Sequence, residues 1–138
     1  MLTLAITGFD DDPDRVSAVL GLTPTAVGRR GEPTRNGRPR AINGWWLGVH
    51  EDRLTDGGQH DAALNELLLL LKGKEQQFAK LRATLKPASV SVYGGLYHRA
   101  GQQCGVWLEP EQMQVLASCG VGWGLDVFSG EPAEDATA

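Results

Sequence analysis

The stretch from Leu64 to Leu71 holds six leucines in eight positions, and no other segment narrows the choice of fold as far. Leu64, Leu67, Leu68 and Leu71 recur at helical spacing and define one face of a helix from about His60 to Lys72. Leu69 and Leu70 widen that face, so the helix is expected to be buried on most sides. Gly73 breaks it, and Phe78, Leu81 and Leu85 carry a helical stripe on to Pro87. Helices with this much apolar surface need a sheet to cover.

The strands for that sheet are written in period-two alternation. Leu2, Leu4 and Ile6 alternate with Thr3, Ala5 and Thr7; Trp45, Leu47 and Val49 alternate with Trp46, Gly48 and His50. Val90 and Val92 lie between Ser89, Ser91 and Tyr93, while Cys104, Val106 and Leu108 lie around Gly105 and Trp107, which reads as a hairpin with a long loop. Val121, Trp123, Leu125 and Val127 alternate with Gly122, Gly124, Asp126 and Phe128 in the last strand. Two short helices are marked by their ends. Asp12 caps one, with Pro13 behind it and Gly21 as its stop; Glu109 caps the other, with Pro110 behind it and Gly120 as its stop. The expected fold is α+β: a single mixed or mostly antiparallel sheet of about five strands with helices packed on one face. Residues 1–129 form the expected single domain, and the polar, apolar-poor residues 130–138 a disordered tail.

Composition limits function. With 138 residues and 41% hydrophobic content the chain can build one core, and a formal net charge of −4 argues against nucleic acid as a partner. No apolar run is long enough for a membrane span, and no leader pattern opens the chain. Cys104 and Cys119 are the only cysteines, too few for a disulfide scaffold or a zinc site. A cytoplasmic protein with both thiols buried as small hydrophobes is expected.

His50, His60 and His98 fall on different elements without ligand spacing, so no metal is expected and surface histidines are the simpler reading. His50 and Asp126 can meet on one sheet face as an acid/base pair only if strand order allows it. No nucleophile elbow or phosphate loop is present, and no cofactor is expected.

The strongest polar signal is the glycine- and proline-containing stretch from Leu22 to Asn43, read as a long exposed loop. Between Gly28 and Arg40 it carries Arg29, Arg30, Arg35, Arg38 and Arg40 against one glutamate, Glu32. Arginine forks suit phosphate or carboxylate, and the Trp45–Trp46 pair that follows offers stacking surfaces. The alternatives are a solvated charged loop and one folded back on the acidic run Asp10, Asp11, Asp12 and Asp14.

Sorting each strand by parity leaves one face apolar, for the helices, and a second face made of Thr3, Ala5, Thr7, Trp46, His50, Ser89, Ser91, Tyr93, Trp107, Asp126, Phe128 and several glycines. Aromatic side chains rising among glycines can wall a groove, pack on one another or on the arginine loop, or meet a second copy of the chain.

The order of signals is also familiar. A strand ending in Gly8, a short helix begun by acidic residues, Leu20-Gly21-Leu22 with Pro24, Arg30-Gly31-Glu32 and the Trp45-Trp46-Leu47 strand together resemble the bacterial domain-of-unknown-function family numbered 4279, over about residues 2 to 128. The resemblance implies a compact α+β domain, complete in itself, with no established activity and no residue role to carry over. The leading functional expectation is a non-enzymatic protein-binding module of the kind found in toxin–immunity pairs, with a protein partner or a homo-oligomer. The second is a small-molecule or anion binder, or an enzyme, with Arg29, Arg30 and Trp46 at its mouth and His50, Tyr93, Trp107 and Asp126 in its groove.

Overall fold

Leu2, Leu4 and Ile6 are fully buried, and the strand they define, β1 (Leu2–Thr7), is the middle strand of the sheet. The computed structural model describes residues 1–49, 60–98, 101 and 105–129. After β1 the chain runs through α1 (Asp14–Leu20), β2 (Ala26–Gly28), β3 (Gly44–Val49), α2 (Asp61–Leu71), α3 (Glu75–Leu85), β4 (Ser89–His98), α4 (Pro110–Cys119) and β5 (Gly122–Ser129). The five strands form one open mixed sheet in the order β2-β3-β1-β4-β5, antiparallel at every junction except the parallel pair β4 and β5. With four helices among the described residues, the fold is α+β.

Register follows the alternation seen in the sequence. Leu4 lies between Leu47 and Val92, and Ile6 between Trp45 and Val90, so one parity from three strands meets on one face. There Val16 and Leu20 of α1, Leu64, Leu67 and Leu71 of α2, and Phe78 and Leu81 of α3 close over them. The helices form a single layer: α1 packs on α3, α3 on α4, and α4 on α2, while α2 crosses β1 and β3. Polar ties fix that layer. The Trp45 indole N–H donates to Ser17 Oγ at 2.9 Å, and Lys74 Nζ donates to the Leu20 carbonyl at the end of α1 at 2.8 Å.

Both stops and the start of α4 match their signals, while α1 begins one residue later than expected, with Pro13 rather than Asp12 at its cap position. Asp12 Oδ1 accepts the Asp14 N–H at 2.9 Å, Gly21 closes α1 in the left-handed region, and Gly120 does the same for α4. At the other end of α4, Gln112 Oε1 accepts the Glu109 N–H at 2.8 Å.

Several expectations are corrected. Leu69 is 74% exposed and Leu70 half-buried, because α2 has sheet on one side and only α4 beside it, so its outer face meets solvent. Residues 105–109 are not a strand, and no hairpin is built there. Val106 and Leu108 instead lie partly buried against the core without entering the ladder. The fifth strand is β2, inside the stretch read as a loop, where Ala26, Val27 and Gly28 pair with Trp46, Trp45 and Gly44. β4 runs straight through Gly94 and Gly95, and Gly94 is where Leu2 packs against the backbone, leaving no room for a Cβ. Val127, near the end of edge strand β5, is 65% exposed because its strand has a neighbour on one side only. His60 is buried and donates through Nε2 to the Gly95 carbonyl at 2.9 Å, so it is not a surface histidine. Cys119 is buried as expected; Cys104 and the tail 130–138 lie outside the described residues. No helix among the described residues is long and apolar enough to cross a membrane.

Candidate functional site

The arginine-rich stretch is ordered by its own backbone. The Gly31 N–H donates to the Arg40 carbonyl, the Arg40 N–H to the Glu32 carbonyl and the Thr34 N–H to the Arg38 carbonyl, each at 2.8 Å, with Pro33 and Pro39 bridged between them. The result is a short hairpin arm projecting from the end of β2. Gly31 and Gly37 have positive φ at its bends, a conformation that costs a residue with a Cβ.

The arm does fold back on the acidic run. Arg29 makes a fork to Asp12, Nε to Oδ2 at 2.8 Å and Nη2 to Oδ1 at 3.2 Å, and reaches Asp14 at 3.6 Å; Arg30 Nη2 meets Asp10 Oδ1 at 3.0 Å. The Arg29 guanidinium and the Asp14 N–H hold the Asp12 carboxyl below its ordinary range, and Asp12 in turn raises Arg29. Asn43 locks the same junction from the inside. Its Oδ1 accepts the Arg30 N–H at 2.7 Å, and its Nδ2 donates to the carbonyls of Phe9 and Asp11 at 2.9 and 3.0 Å.

Arg40 goes elsewhere. As the arm returns, its side chain lies on the sheet face that the helices leave uncovered, with the guanidinium carbon 5.2 Å from the centre of the Trp46 ring. Two glycines make this packing fit. A Cβ at Gly28 would overlap the Arg40 guanidinium, and one at Gly44 would overlap the Trp46 ring. Beside the pair is a hollow of about 350 Å³, walled by Met1, Thr3, Arg40, Trp46, Gly48 and Tyr93. Thr25 at its rim is committed to the backbone, donating to the Trp46 carbonyl at 3.3 Å and accepting the Gly48 N–H at 3.0 Å.

Of the residues singled out in the sequence, Trp46 and Tyr93 therefore share one hollow. Arg29 and Arg30 do not line it and spend their charge on aspartates. Asp126 is exposed on the same face but stands on β5 opposite Gly95, and β5 is three strand spacings from β3, roughly 14 Å. Trp107 is off the sheet, 76% exposed, with its indole N–H donating to Glu109 Oε1 at 2.8 Å. His50 lies outside the described residues. On the β5 side, Phe128 stacks on Tyr97 with centroids 5.3 Å apart, so each aromatic cluster packs partly on its own neighbours.

A family model described as Domain of unknown function (DUF4279) matches residues 1–129 of the chain. The chain belongs to the DUF4279 family. No curated protein and no solved structure matches it.

In this DUF4279 domain the motifs that carried the resemblance occupy structural junctions: Gly21 closes α1, Arg30-Gly31-Glu32 turns the chain into the arm, and Trp45 is fully buried in the core. Sequence reasoning placed Thr3 on the open face but missed the wall residue Met1, and it missed Asn43. Arg40 stood among five arginines with nothing to single it out; only the return of the hairpin and the bare backbone at Gly28 place it on the sheet.

Proposed function

We propose that this DUF4279 domain, over residues 1–129, is a non-enzymatic binding module that receives a protein partner on its open sheet face. The observation that carries this reading is the exposure of large aromatics on the sheet face opposite the described helices: Tyr93 is 44% exposed and Phe128 47% exposed, with Gly95 between them and Gly124 beside Tyr93. Small residues let a partner approach the backbone, and rigid aromatic rings bury much area at low entropic cost. Aromatic and small side chains dominate the face, which suits contact area rather than group transfer.

A photo-cross-linking amino acid at Tyr93, compared with one at exposed Ala83 on the helix side, tests it. Adducts that form from position 93 and not from position 83 support the module, and light scattering separates a second copy of this chain from a different protein. Equal labelling from both positions, or none from position 93 in the cells that make the protein, refutes it.

A further inference from the structure

The hollow beside Trp46 holds an arginine that is neither ion-paired like Arg29 and Arg30 nor exposed like Arg35 and Arg38. Arg29 and Arg30 are each matched by a carboxylate, whereas among the described residues no carboxylate or carbonyl pairs with the Arg40 guanidinium. Its Nε is buried against the protein with no hydrogen-bond acceptor, which leaves the two terminal nitrogens as its donors. A guanidinium pressed against an aromatic ring and stripped of part of its water is a stronger anion site than one in bulk solvent.

The other walls define what the anion must carry. Met1, Trp46 and Tyr93 supply a thioether and two rings, and Gly48 supplies bare backbone. Thr3 is buried at the base, and its hydroxyl makes no hydrogen bond among the described residues, leaving one neutral donor or acceptor. The volume of about 350 Å³ falls at the small end of ligand sites. A carboxylate takes the fork that the two terminal nitrogens of Arg40 offer.

We propose that this hollow binds a small monocarboxylic acid with a flat apolar body, its carboxylate on Arg40 and its body between Met1, Trp46 and Tyr93. The site lies on the face used by the proposed module but needs no protein partner. Its test is therefore separate from the cross-linking at Tyr93.

Benzoate and its uncharged isostere benzamide are titrated into the ¹⁵N-labelled protein, following the Trp46 indole resonance assigned by Trp46→Phe. The expected result is saturable benzoate binding that moves the Trp46 signal, with benzamide weaker by about tenfold or more. Arg40→Gln is expected to weaken benzoate by a similar factor while leaving benzamide unchanged, and Arg40→Lys to restore part of it. An unchanged dispersion of the remaining resonances shows that the variant is folded. Equal affinity for the acid and the amide, benzoate binding undiminished in Arg40→Gln, or no movement of the Trp46 resonance at millimolar benzoate overturns the proposal.

Discussion

Asn43 Nδ2 donates to the Phe9 carbonyl at 2.9 Å, and through that bond the residue before β3 holds the turn that leaves β1. The same amide also serves the Asp11 carbonyl and the Arg30 N–H. One buried side chain therefore joins the acidic run, the arm and the sheet.

Removing it leaves polar backbone groups without partners in a buried site. Asn43→Ala is expected to cost about 2–3 kcal/mol in urea denaturation, with the denaturant slope unchanged. A loss below about 0.5 kcal/mol, the range of neutral surface changes, would show that water replaces the amide at no cost.

The glycines beneath Arg40 and Trp46 give unequal effects. Gly44→Ala places a methyl group inside the Trp46 ring, a rigid neighbour, and is expected to destabilise by about 1–3 kcal/mol. Gly28→Ala meets the more flexible Arg40 side chain and is expected to cost less than Gly44→Ala, while displacing the guanidinium from Trp46. Thermal melts rank the two variants, and the Trp46 indole chemical shift reports the displacement. The reverse ranking would mean that Trp46 moves more readily than Arg40.

Asp12 stabilises the folded chain as a carboxylate. The Arg29 hydrogen bond holds its folded-state pKa below the ordinary 3.8, so the unfolded chain takes up its proton first as pH falls. The contribution of this carboxylate is complete above pH 3.8 and is lost as pH drops through the lower folded value. Because Asp12 is at the surface, the effect is small and weakens with salt. Carboxyl ¹³C titration is expected to show a depressed midpoint that rises toward the ordinary value in Arg29→Gln. A midpoint identical in both proteins would assign the depression to the Asp14 N–H alone.

Cys119 is fully buried, and its Sγ contacts the Leu71 carbonyl at 3.4 Å. Burial, with help from Glu75, pushes its thiol above the ordinary 9.0, against a smaller opposing pull from Arg82. Above pH 9.0 the unfolded chain loses this proton while the folded chain keeps it, so stability falls as pH rises beyond that point. Iodoacetamide labelling of Cys119, located by mass spectrometry, is expected to be slower in the native protein than in urea by on the order of a hundredfold or more. Comparable rates would place the thiol at the surface.

Local signals were legible wherever the cause was local. The stops at Gly21 and Gly120 need a left-handed residue, and glycine adopts that conformation without a Cβ clash. The inward parity of Leu2, Leu4, Ile6, Trp45 and Leu47 needs only the alternation of a strand with one covered face. Cys104 to Leu108 carried the same alternation, yet Val106 and Leu108 settle against the core outside the ladder. Alternation records which side chains avoid water, and it does not record which backbone supplies the hydrogen bonds.

The sequence by itself determined the class of fold, the positions of the helices and the apolar face of the sheet, and it left the pairing of the arginine-rich stretch with the acidic run as one alternative among several. Only the tertiary structure decided that β2 is the fifth strand, that Asn43 is the buried tie, and that Arg40 rather than Arg29 or Arg30 borders the hollow with Trp46 and Tyr93. The reason is physical. A three-residue edge strand, a multidentate amide and the arginine packed on Trp46 are defined by neighbours distant in sequence, and nothing in their own local pattern distinguishes them.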